Sequence, residues 1–400
     1  MKSIREIYKT GKGPSSSHTM GPERACLIFR SEQPDAASYR AVLYGSLAKT
    51  GAGHGTDRVI CESFAPKACE VVFDPETPTP VHPNTMDLFA IDAAGNETAS
   101  MRVYSIGGGD IQIEGRDPME ITPHIYPHSA FTDIAEYCHA HNMRLSDYVE
   151  MVEGEDIWTF LMDVWGQMCA AITEGLTHRG TLPGGLNVER KAQFLLGQRH
   201  IDERPETREN RIVCAYAFAV SEQNAGGGTI VTAPTCGACG VLPAVLKYMQ
   251  DEKNLNDKQV LRALAVAGLV GNLVKHNASI SGAECGCQAE IGTACSMASA
   301  ALAELFEMGI DQIEYAAEVA LEHHLGLTCD PICGLVQIPC IERNAVAAMR
   351  AINAVRISNF LTSTRKISFD MVVETMYETG RDLNHIYRET AEGGLAKLYK

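Results

Sequence analysis

The feature that most constrains this chain is a group of cysteines in its last third. Six cysteines lie between residues 285 and 340: Cys285, Cys287, Cys295, Cys329, Cys333 and Cys340. They stand among glycine, proline and other small residues, in the segments GAECGCQAEIGTAC and LTCDPICGLVQIPC. Tight backbone turns of this kind let several sulfur atoms converge on one point. The pattern therefore predicts a metal or iron–sulfur centre.

The bulk properties indicate a soluble protein of two or three domains, with 400 residues of which 45% are hydrophobic. No apolar run is long enough to span a bilayer, and the first residues, MKSIREIYKTGKG, lack a secretory signal. We therefore expect a cytoplasmic protein with no membrane partner. In a reducing compartment, 14 cysteines favour metal, cluster or core roles over disulfides. A net charge of −16 with scattered Lys and Arg would repel a phosphate backbone, so no nucleic-acid partner is expected.

A polar loop near the N-terminus is a candidate binding site. Its residues are Ser15, Ser16, Ser17, His18 and Thr19, in GKGPSSSHTMGP, just before a predicted helix. Hydroxyl groups and free backbone N–H groups at such a position suit a carboxylate or a phosphate. The alternative is a simple helix cap. The histidine and the flanking Gly-Pro pairs favour the functional interpretation.

Two further histidines lie in segments rich in glycine or proline. His54 stands between Gly53 and Gly55 in a predicted loop, and His82 lies in the connection PETPTPVHPN. Histidine is the natural proton-transfer group near neutral pH. For His54 the alternative is an ordinary surface-loop histidine.

The order of predicted elements indicates an α+β fold. Strands are predicted over 39–47 and 68–73, and a β-hairpin is predicted over 86–91 and 99–106 around the turn AAGN. The segment SIGGGD at 105–110 lacks the spacing of a phosphate loop and predicts a tight loop leaving a strand. Residues 107–128 are predicted to be a linker, and helical periodicity dominates beyond them. We therefore predict a small α/β domain over 1–128, linker included, and a largely helical catalytic domain over 129–400.

A Cys-x-x-Cys pair at Cys236 and Cys239 has three interpretations. It could be a redox pair or half of a zinc site. No second pair and no thioredoxin-like βαβ context accompany it. We therefore favour a role in loop packing.

Several ordered segments together resemble the iron–sulfur-dependent bacterial L-serine dehydratases (L-serine ammonia-lyases) in their single-chain form. The segments are GPSSSHTMGP, YGSLAKTGAGHGTD, VYSIGGG, TAPTCGACGVLPAVL, NASISGAECGCQAEIGTACSMA, LGLTCDPICGLVQIPCIERNA and ETMYETGRDLNHIYRETAEGGLA. The resemblance runs from residue 1 to nearly residue 400. It implies an N-terminal domain like the allosteric substrate-binding domain of some phosphoglycerate dehydrogenases, followed by a helical catalytic domain holding a [4Fe–4S] cluster.

Carried over by position, the resemblance implies that Cys287, Cys329 and Cys340 ligate the cluster. Residue types alone leave Cys285, Cys295 and Cys333 as alternatives. His18, His54 and His82 also fall on motif positions, with the weakest match at His82 because the preceding segment is shorter here. The resemblance also implies a homodimer. This chain ends GGLAKLYK, whereas several members end in a cysteine that can fold back onto the iron, so we expect no such ligation here.

The implied reaction converts L-serine to pyruvate and ammonia. A cluster held by three thiolates leaves one iron free to act as a Lewis acid toward the serine hydroxyl. We predict that His54 takes the Cα proton, that His82 orients it or shares its role, and that the loop from Ser15 to Thr19 with His18 holds the carboxylate. The base and the iron then come from different domains, which places the site at their interface.

Two other functions are compatible with parts of the sequence. A pyridoxal-phosphate dehydratase would use Lys275 for the Schiff base, but the cysteines and the N-terminal histidines would then be unexplained. A non-catalytic amino-acid or redox sensor would bind serine in the N-terminal domain and report oxygen through the cluster. The presence of all three histidines beside all three proposed ligands favours an enzyme.

Overall fold

The chain forms a five-stranded sheet with three helices, followed by a large helical region. The computed structural model describes residues 1–116, 123–198, 201, 203–361 and 364–399. In these ranges the strands are β1 (Thr10–Lys12), β2 (Ser38–Tyr44), β3 (Cys69–Asp74), β4 (Thr85–Ile91), β5 (Glu97–Gly107), β6 (Asp110–Ile113) and β7 (Thr229–Val231). The sheet has the order β3-β2-β4-β5-β6, in which β2 pairs parallel with β3 and antiparallel with β4.

The helices of the described ranges lie mostly after residue 130. They are α1 (Gly21–Glu32), α2 (Gly45–His54), α3 (Thr56–Phe64), α4 (Phe131–His141), α5 (Leu145–Glu153), α6 (Ile157–Thr177), α7 (Ala192–Gly197), α8 (Pro205–Ala225), α9 (Val241–Lys253), α10 (Asp257–Asn277), α11 (Gly282–Cys285), α12 (Thr293–Leu305), α13 (Ile310–Glu322), α14 (Cys340–Leu361), α15 (Phe369–Asp382) and α16 (Gly394–Leu398). None of them combines the length and apolar character that crossing a membrane requires. The predicted α+β class is confirmed.

Two hydrophobic cores correspond to these two regions. In the first, alternate residues of β2 pack against α1, α2 and α3, which is the period-2 pattern of a half-buried strand. The second core lies among the helices and also contains Ile4, Ile7 and Tyr8. Strand β1 pairs with β7, so the first twelve residues pack on the helical region. The proposed boundary after residue 128 stays a prediction, and part of its predicted linker, 117–122, lies outside the described residues.

The prediction of a loop around His54 is wrong, because this segment is helix α2. Its glycines serve close packing. A Cβ at Gly53 would lie 2.8 Å from the carbonyl oxygen of Gly334, and one at Gly51 would lie 3.1 Å from the Phe73 ring. Helix α2 ends at His54 because Gly55 adopts a left-handed conformation with φ of 64°. The hairpin of β4 and β5 and the tight glycine turn after β5 match their predictions.

A buried histidine should make stability fall in mild acid. His324 is 4% exposed, and its Nδ1–H donates to the Ala320 carbonyl oxygen at 2.7 Å. Burial lowers the pKa of His324 to about 4 from an ordinary value of 6.5. Between these values the unfolded chain binds a proton that the native protein does not, so stability decreases as pH falls through this window. From pH 7 to pH 5 the free energy of unfolding should decrease in both proteins, but by about 2 kcal/mol less in His324→Gln than in the wild type. Denaturant unfolding at the two pH values would measure this difference.

The adjacent His323 provides the matched control, since its side chain is 65% exposed. His323→Gln should retain the wild-type difference in free energy of unfolding between the two pH values. Equal losses for wild type and His324→Gln would show that the buried imidazole does not cause the acid sensitivity.

Candidate active site

A small buried cavity lies where the N-terminal region meets the helical region. Pro14, Ser15 and His54 line it from the N-terminal side, and the helical side contributes Gly237, Cys287, Glu290, Ile291, Cys329, Pro331, Val336, Cys340 and Glu389. The three predicted cluster ligands therefore face one space together with one predicted histidine and one predicted serine.

Each cysteine of this cavity is presented by an irregular turn. Cys287 directly precedes a π-helical turn, Gln288–Gly292, and follows Gly286, whose φ is 73°. Turns of this type are frequent at functional sites. Cys329 lies in the loop after α13, and Cys340 begins α14 after a proline. A Cβ at Gly282 would lie 3.2 Å from the Cys329 Sγ, so glycine at that position admits the thiol.

The thiols influence one another's ionisation. The hydrogen bond with Cys329 and the positive charge of Arg343 lower the pKa of the Cys287 thiol to about 6, against the opposing effect of burial. The same hydrogen bond and burial raise the pKa of Cys329, and burial raises that of Cys340. The guanidinium of Arg343 donates to the Thr328 carbonyl oxygen at 2.6 Å and to Asp330 at 3.2 Å, which fixes the charge beside the cysteine loop. Cys287 is therefore the thiol best prepared to bind a cation as thiolate.

His54 is held in the tautomer that suits a base. Its Nδ1 lies 2.9 Å from the Thr50 carbonyl oxygen, which can only accept, so Nδ1 carries the proton. Its Nε2 is buried and has no hydrogen-bond partner among the described residues. Burial lowers the pKa of His54 to about 4, so the ring is neutral at pH 7. The free electron pair of Nε2 is therefore available beside the cavity.

His18 lies behind His54 and has the opposite tautomer. The two ring centroids are 4.4 Å apart. The Thr50 hydroxyl donates to the Ser46 carbonyl oxygen, so the His18 Nε2–H donates to the Thr50 Oγ1 at 2.9 Å. The Ser17 hydroxyl then donates to Nδ1 at 3.0 Å. Both ring nitrogens are thus occupied, and burial together with His54 lowers the pKa of His18.

The serine loop forms a π-helical turn, Ser16–Met20, rather than an open anion cradle. Ser15 lines the cavity, and its Oγ accepts from the His18 backbone N–H at 3.1 Å. The Thr19 hydroxyl donates to the carbonyl oxygen of His54 at 3.0 Å. Ser16 is buried and does not line the cavity. The structure therefore brings Ser15 to the cavity, while Ser17 and Thr19 hold the two histidines.

His82 lies apart from the cavity lining. Its Nδ1 accepts from the Asn84 backbone N–H at 3.0 Å, so in the neutral ring Nε2 carries the proton. That nitrogen is 3.5 Å from a carboxylate oxygen of Glu284. His82 therefore has the arrangement of a donor, and its proposed share in catalysis stays untested.

Two carboxyl groups at the cavity, that of the half-buried Glu290 and that of the buried Glu389, were not singled out from the sequence. Glu290 accepts a hydrogen bond from the Thr235 hydroxyl at 2.8 Å, and its Oε2 lies 3.8 Å from the Cys287 Sγ. Glu389 lies 3.6 Å from the His18 Nδ1 and 3.9 Å from the His54 Nε2. Burial and the Cys287 thiolate raise the pKa of both carboxyl groups, that of Glu389 to about 8. The only signal in the sequence was their position inside the quoted motifs GCQAEIG and YRETAEGG.

The remaining candidates lie elsewhere. Cys285 packs beneath Gly380, the Cys295 thiol donates to the Ala347 carbonyl oxygen, and Cys333 is exposed. The Cys236 Sγ lies 3.3 Å from the Met20 sulfur, and Cys239 is buried beside it in a small apolar cluster. These positions agree with a packing role for the Cys-x-x-Cys pair.

The cavity fits a cationic metal group that thiolates hold. Cys287, Glu290 and Cys329 offer ligand atoms that all lie within 4.8 Å of one another, and Cys340 lines the same space. Burial is the first cause of the raised pKa values of Glu290 and Glu389, and the negative charge of the Cys287 thiolate, which a counter-charge would offset, is the second. A bound cation would provide that counter-charge, and the soft thiolate donors suit iron–sulfur clusters.

Two family models cover nearly the whole chain. The model described as "Serine dehydratase beta chain" matches residues 3–72, and "Serine dehydratase alpha chain" matches residues 85–396. The two chains are therefore fused in one polypeptide. His18 and His54 fall in the first range and the three cysteines in the second, whereas His82 lies between them.

Curated relatives align over almost their full length. An "L-serine dehydratase" from Streptomyces coelicolor is 40% identical over 98% of both chains. "L-serine dehydratase 2" from Escherichia coli and an "L-serine dehydratase" from Haemophilus influenzae are also 40% identical, over at least 98% of both chains. The alignments span 448 to 453 positions, so they contain gaps in this 400-residue chain. The chain belongs to the serine dehydratase family and is accordingly an enzyme of the lyase class.

Proposed function

We propose that this enzyme is an L-serine ammonia-lyase, which converts L-serine to pyruvate and ammonia at the cavity of the three cysteines. One observation carries the proposal. Three thiols and the unprotonated Nε2 of His54 face the same buried space. The full-length relatives with this activity in their names support the choice of substrate.

Removing water from serine requires help at two atoms. The Cα proton is weakly acidic, and hydroxide is a poor leaving group. We propose that Cys287, Cys329 and Cys340 hold a [4Fe–4S] cluster. When bound, such a cluster supplies a Lewis acid for the leaving hydroxyl, because three thiolates leave one iron without a protein ligand.

In this proposal His54 removes the Cα proton through Nε2. The hydrogen bond from Nδ1–H to the Thr50 carbonyl oxygen fixes the ring plane and compensates the charge that develops on the ring. Thr19 supports the same helix end through the His54 carbonyl oxygen. The product aminoacrylate tautomerises and hydrolyses without further enzymatic groups.

Ser15 is proposed to bind the substrate carboxylate. The Ser17 hydroxyl proton is directed at His18, so the Ser15 hydroxyl is the donor in the long 3.4 Å contact with the Ser17 hydroxyl oxygen. A carboxylate in the cavity would be a stronger acceptor for that Ser15 proton. His18, Ser16, Ser17 and Thr19 then act by holding this turn in place. The proposal also includes a cytoplasmic location and a homodimer, as the family resemblance implies.

The pyridoxal-phosphate alternative has little support from the position of Lys275. Its ammonium group binds the Asp110 carboxylate at 2.5 Å and the Glu6 carbonyl oxygen at 3.1 Å. Lys9 also binds Asp110, and the two ammonium groups lower the pKa of Asp110 although burial opposes this. Lys275 therefore joins the N-terminal segment, the sheet and α10.

Anaerobic purification with iron and acid-labile sulfide analysis tests the proposal directly. We expect about four irons and four sulfides per chain, pyruvate formation from L-serine, and loss of activity on exposure to air. The chromophore of a Schiff base, or turnover that survives oxygen and chelation without sulfide, would contradict the cluster and restore Lys275 as a candidate.

A further inference from the structure

The C-terminal segment brings one carboxylate into the cavity on a fixed backbone. The Glu389 backbone N–H donates to the Cys329 carbonyl oxygen at 2.9 Å, and its own carbonyl oxygen accepts from the Ser46 hydroxyl at 2.8 Å. Its φ is 58°, a left-handed conformation that is uncommon for a residue with a side chain. Such conformations concentrate at functional sites, where surrounding contacts hold them. The backbone of Glu389 is therefore tied to both halves of the site.

Glu389 is 6% exposed. Within the described part of the chain its carboxylate makes no hydrogen bond, and only its backbone does. Its Oε1 lies 3.6 Å from the His18 Nδ1 and 3.9 Å from the His54 Nε2, and the Cys287 thiolate is close enough to raise its pKa. Glu290, the other carboxylate of the cavity, is bound by Thr235 and faces Cys287. Of the two, Glu389 is thus free to bind a ligand.

We propose that Glu389 binds the α-ammonium group of the substrate, an inference that rests on the proposed function. A buried amino-acid zwitterion needs an anionic partner for its ammonium group. The Cα atom is one bond from that nitrogen. An ammonium group bound to Oε1, which is 3.9 Å from the His54 Nε2, therefore brings the Cα proton close to the base. Glu389 is then the residue that selects α-amino acids over ligands without the amino group.

A comparison of two ligands isolates this contact. 3-Hydroxypropanoate has the carboxylate and the β-hydroxyl of serine but no amino group. In Glu389→Gln the KM for L-serine, and its dissociation constant from anaerobic calorimetry, should rise roughly ten- to one-hundredfold, as for loss of a charged hydrogen bond. The inhibition constant of 3-hydroxypropanoate should change less than about threefold, because that ligand does not use the carboxylate.

Glu389→Asp tests the role of charge, since it keeps the carboxylate. Compared with Glu389→Gln, it should restore part of the preference for L-serine over 3-hydroxypropanoate. Glu392→Gln is the matched control. Glu392 lies in the same segment, is 43% exposed and pairs with Lys49 at 2.9 Å, away from the cavity lining. Its kinetic constants should equal those of the wild type. If Glu389→Gln does not fold, Glu389→Ala replaces it in the comparison of L-serine with 3-hydroxypropanoate. A wild-type ratio of the two affinities in that variant would overturn the proposal.

Three results would overturn the inference while leaving the proposed function intact. They are equal weakening of the binding of both ligands, an unchanged affinity for L-serine, and loss of iron from Glu389→Gln, which would show that Glu389 supports the metal site and does not serve mainly to bind the substrate. A wild-type protein that neither binds nor turns over L-serine would instead refute the proposed function. The comparison therefore separates the two failures.

Discussion

A His54→Gln enzyme should hold the wild-type amount of iron and sulfide yet turn over L-serine at least about a hundredfold more slowly. Glutamine can keep a donor toward the Thr50 carbonyl oxygen, but its amide is not a base. The loss should appear in kcat, with a small change in KM, because the proton is transferred only in the transition state. Steady-state kinetics under anaerobic conditions, with metal analysis of the same samples, would measure it.

The pH profile gives an independent measure of the same group. Burial lowers the pKa of His54 to about 4. The base is therefore already unprotonated at pH 6, so the acid limb that His54 causes in kcat should lie near pH 4. The kcat/KM profile also reports the ionisation of Glu389, whose pKa burial raises to about 8. An acid limb in kcat near the ordinary histidine value of 6.5 would show that another group accepts the proton.

His82→Gln provides the comparison for His54→Gln. His82 accepts from the Asn84 backbone N–H and is outside the cavity lining, so its replacement should reduce kcat far less. An equal or larger loss in His82→Gln would transfer the role of base to His82, or divide it between the two histidines as the sequence suggested.

The choice among cysteines shows what residue types could and could not decide. Six cysteines between residues 285 and 340 predicted a centre, but only the family resemblance selected three of them. The structure separates them by long-range packing: Cys295 faces the α14 backbone in the core, and Cys333 faces solvent. Such packing depends on how helices distant in sequence meet, and no local pattern contains that information.

Long-range packing also explains why the cavity carboxylates were not predicted from the sequence. Glutamate is usually exposed, so a glutamate in a polar C-terminal segment predicts a solvated side chain. Glu389 is buried because residues 387–389 pair with the Cys329 loop, nearly sixty positions earlier. Helix α2 was missed for a different reason. Glycine at residues 51 and 53 lowers helix propensity. At residue 53 the close contact with residues 333 and 334 nevertheless requires glycine, and at residue 51 the Phe73 ring lies close.

Serine substitutions at Cys287, Cys329 and Cys340 should each reduce bound iron from about four per chain to less than one and lower activity to background. A hydroxyl is a harder and far less acidic donor than a thiol, so it does not replace a thiolate at a soft metal centre. Iron and sulfide analysis after anaerobic reconstitution would give the content of each variant.

Cys333→Ser is the matched control for these three variants. Cys333 lies on the same loop, between Cys329 and Cys340, but it is exposed and does not line the cavity. A variant at this position shares any general disturbance of the loop and keeps all three inward-facing thiols. It should therefore bind iron and form pyruvate as the wild type does. If Cys333→Ser lost iron and Cys340→Ser kept it, Cys333 would be the cluster ligand in place of Cys340. The loop would then have to change conformation when the cluster binds.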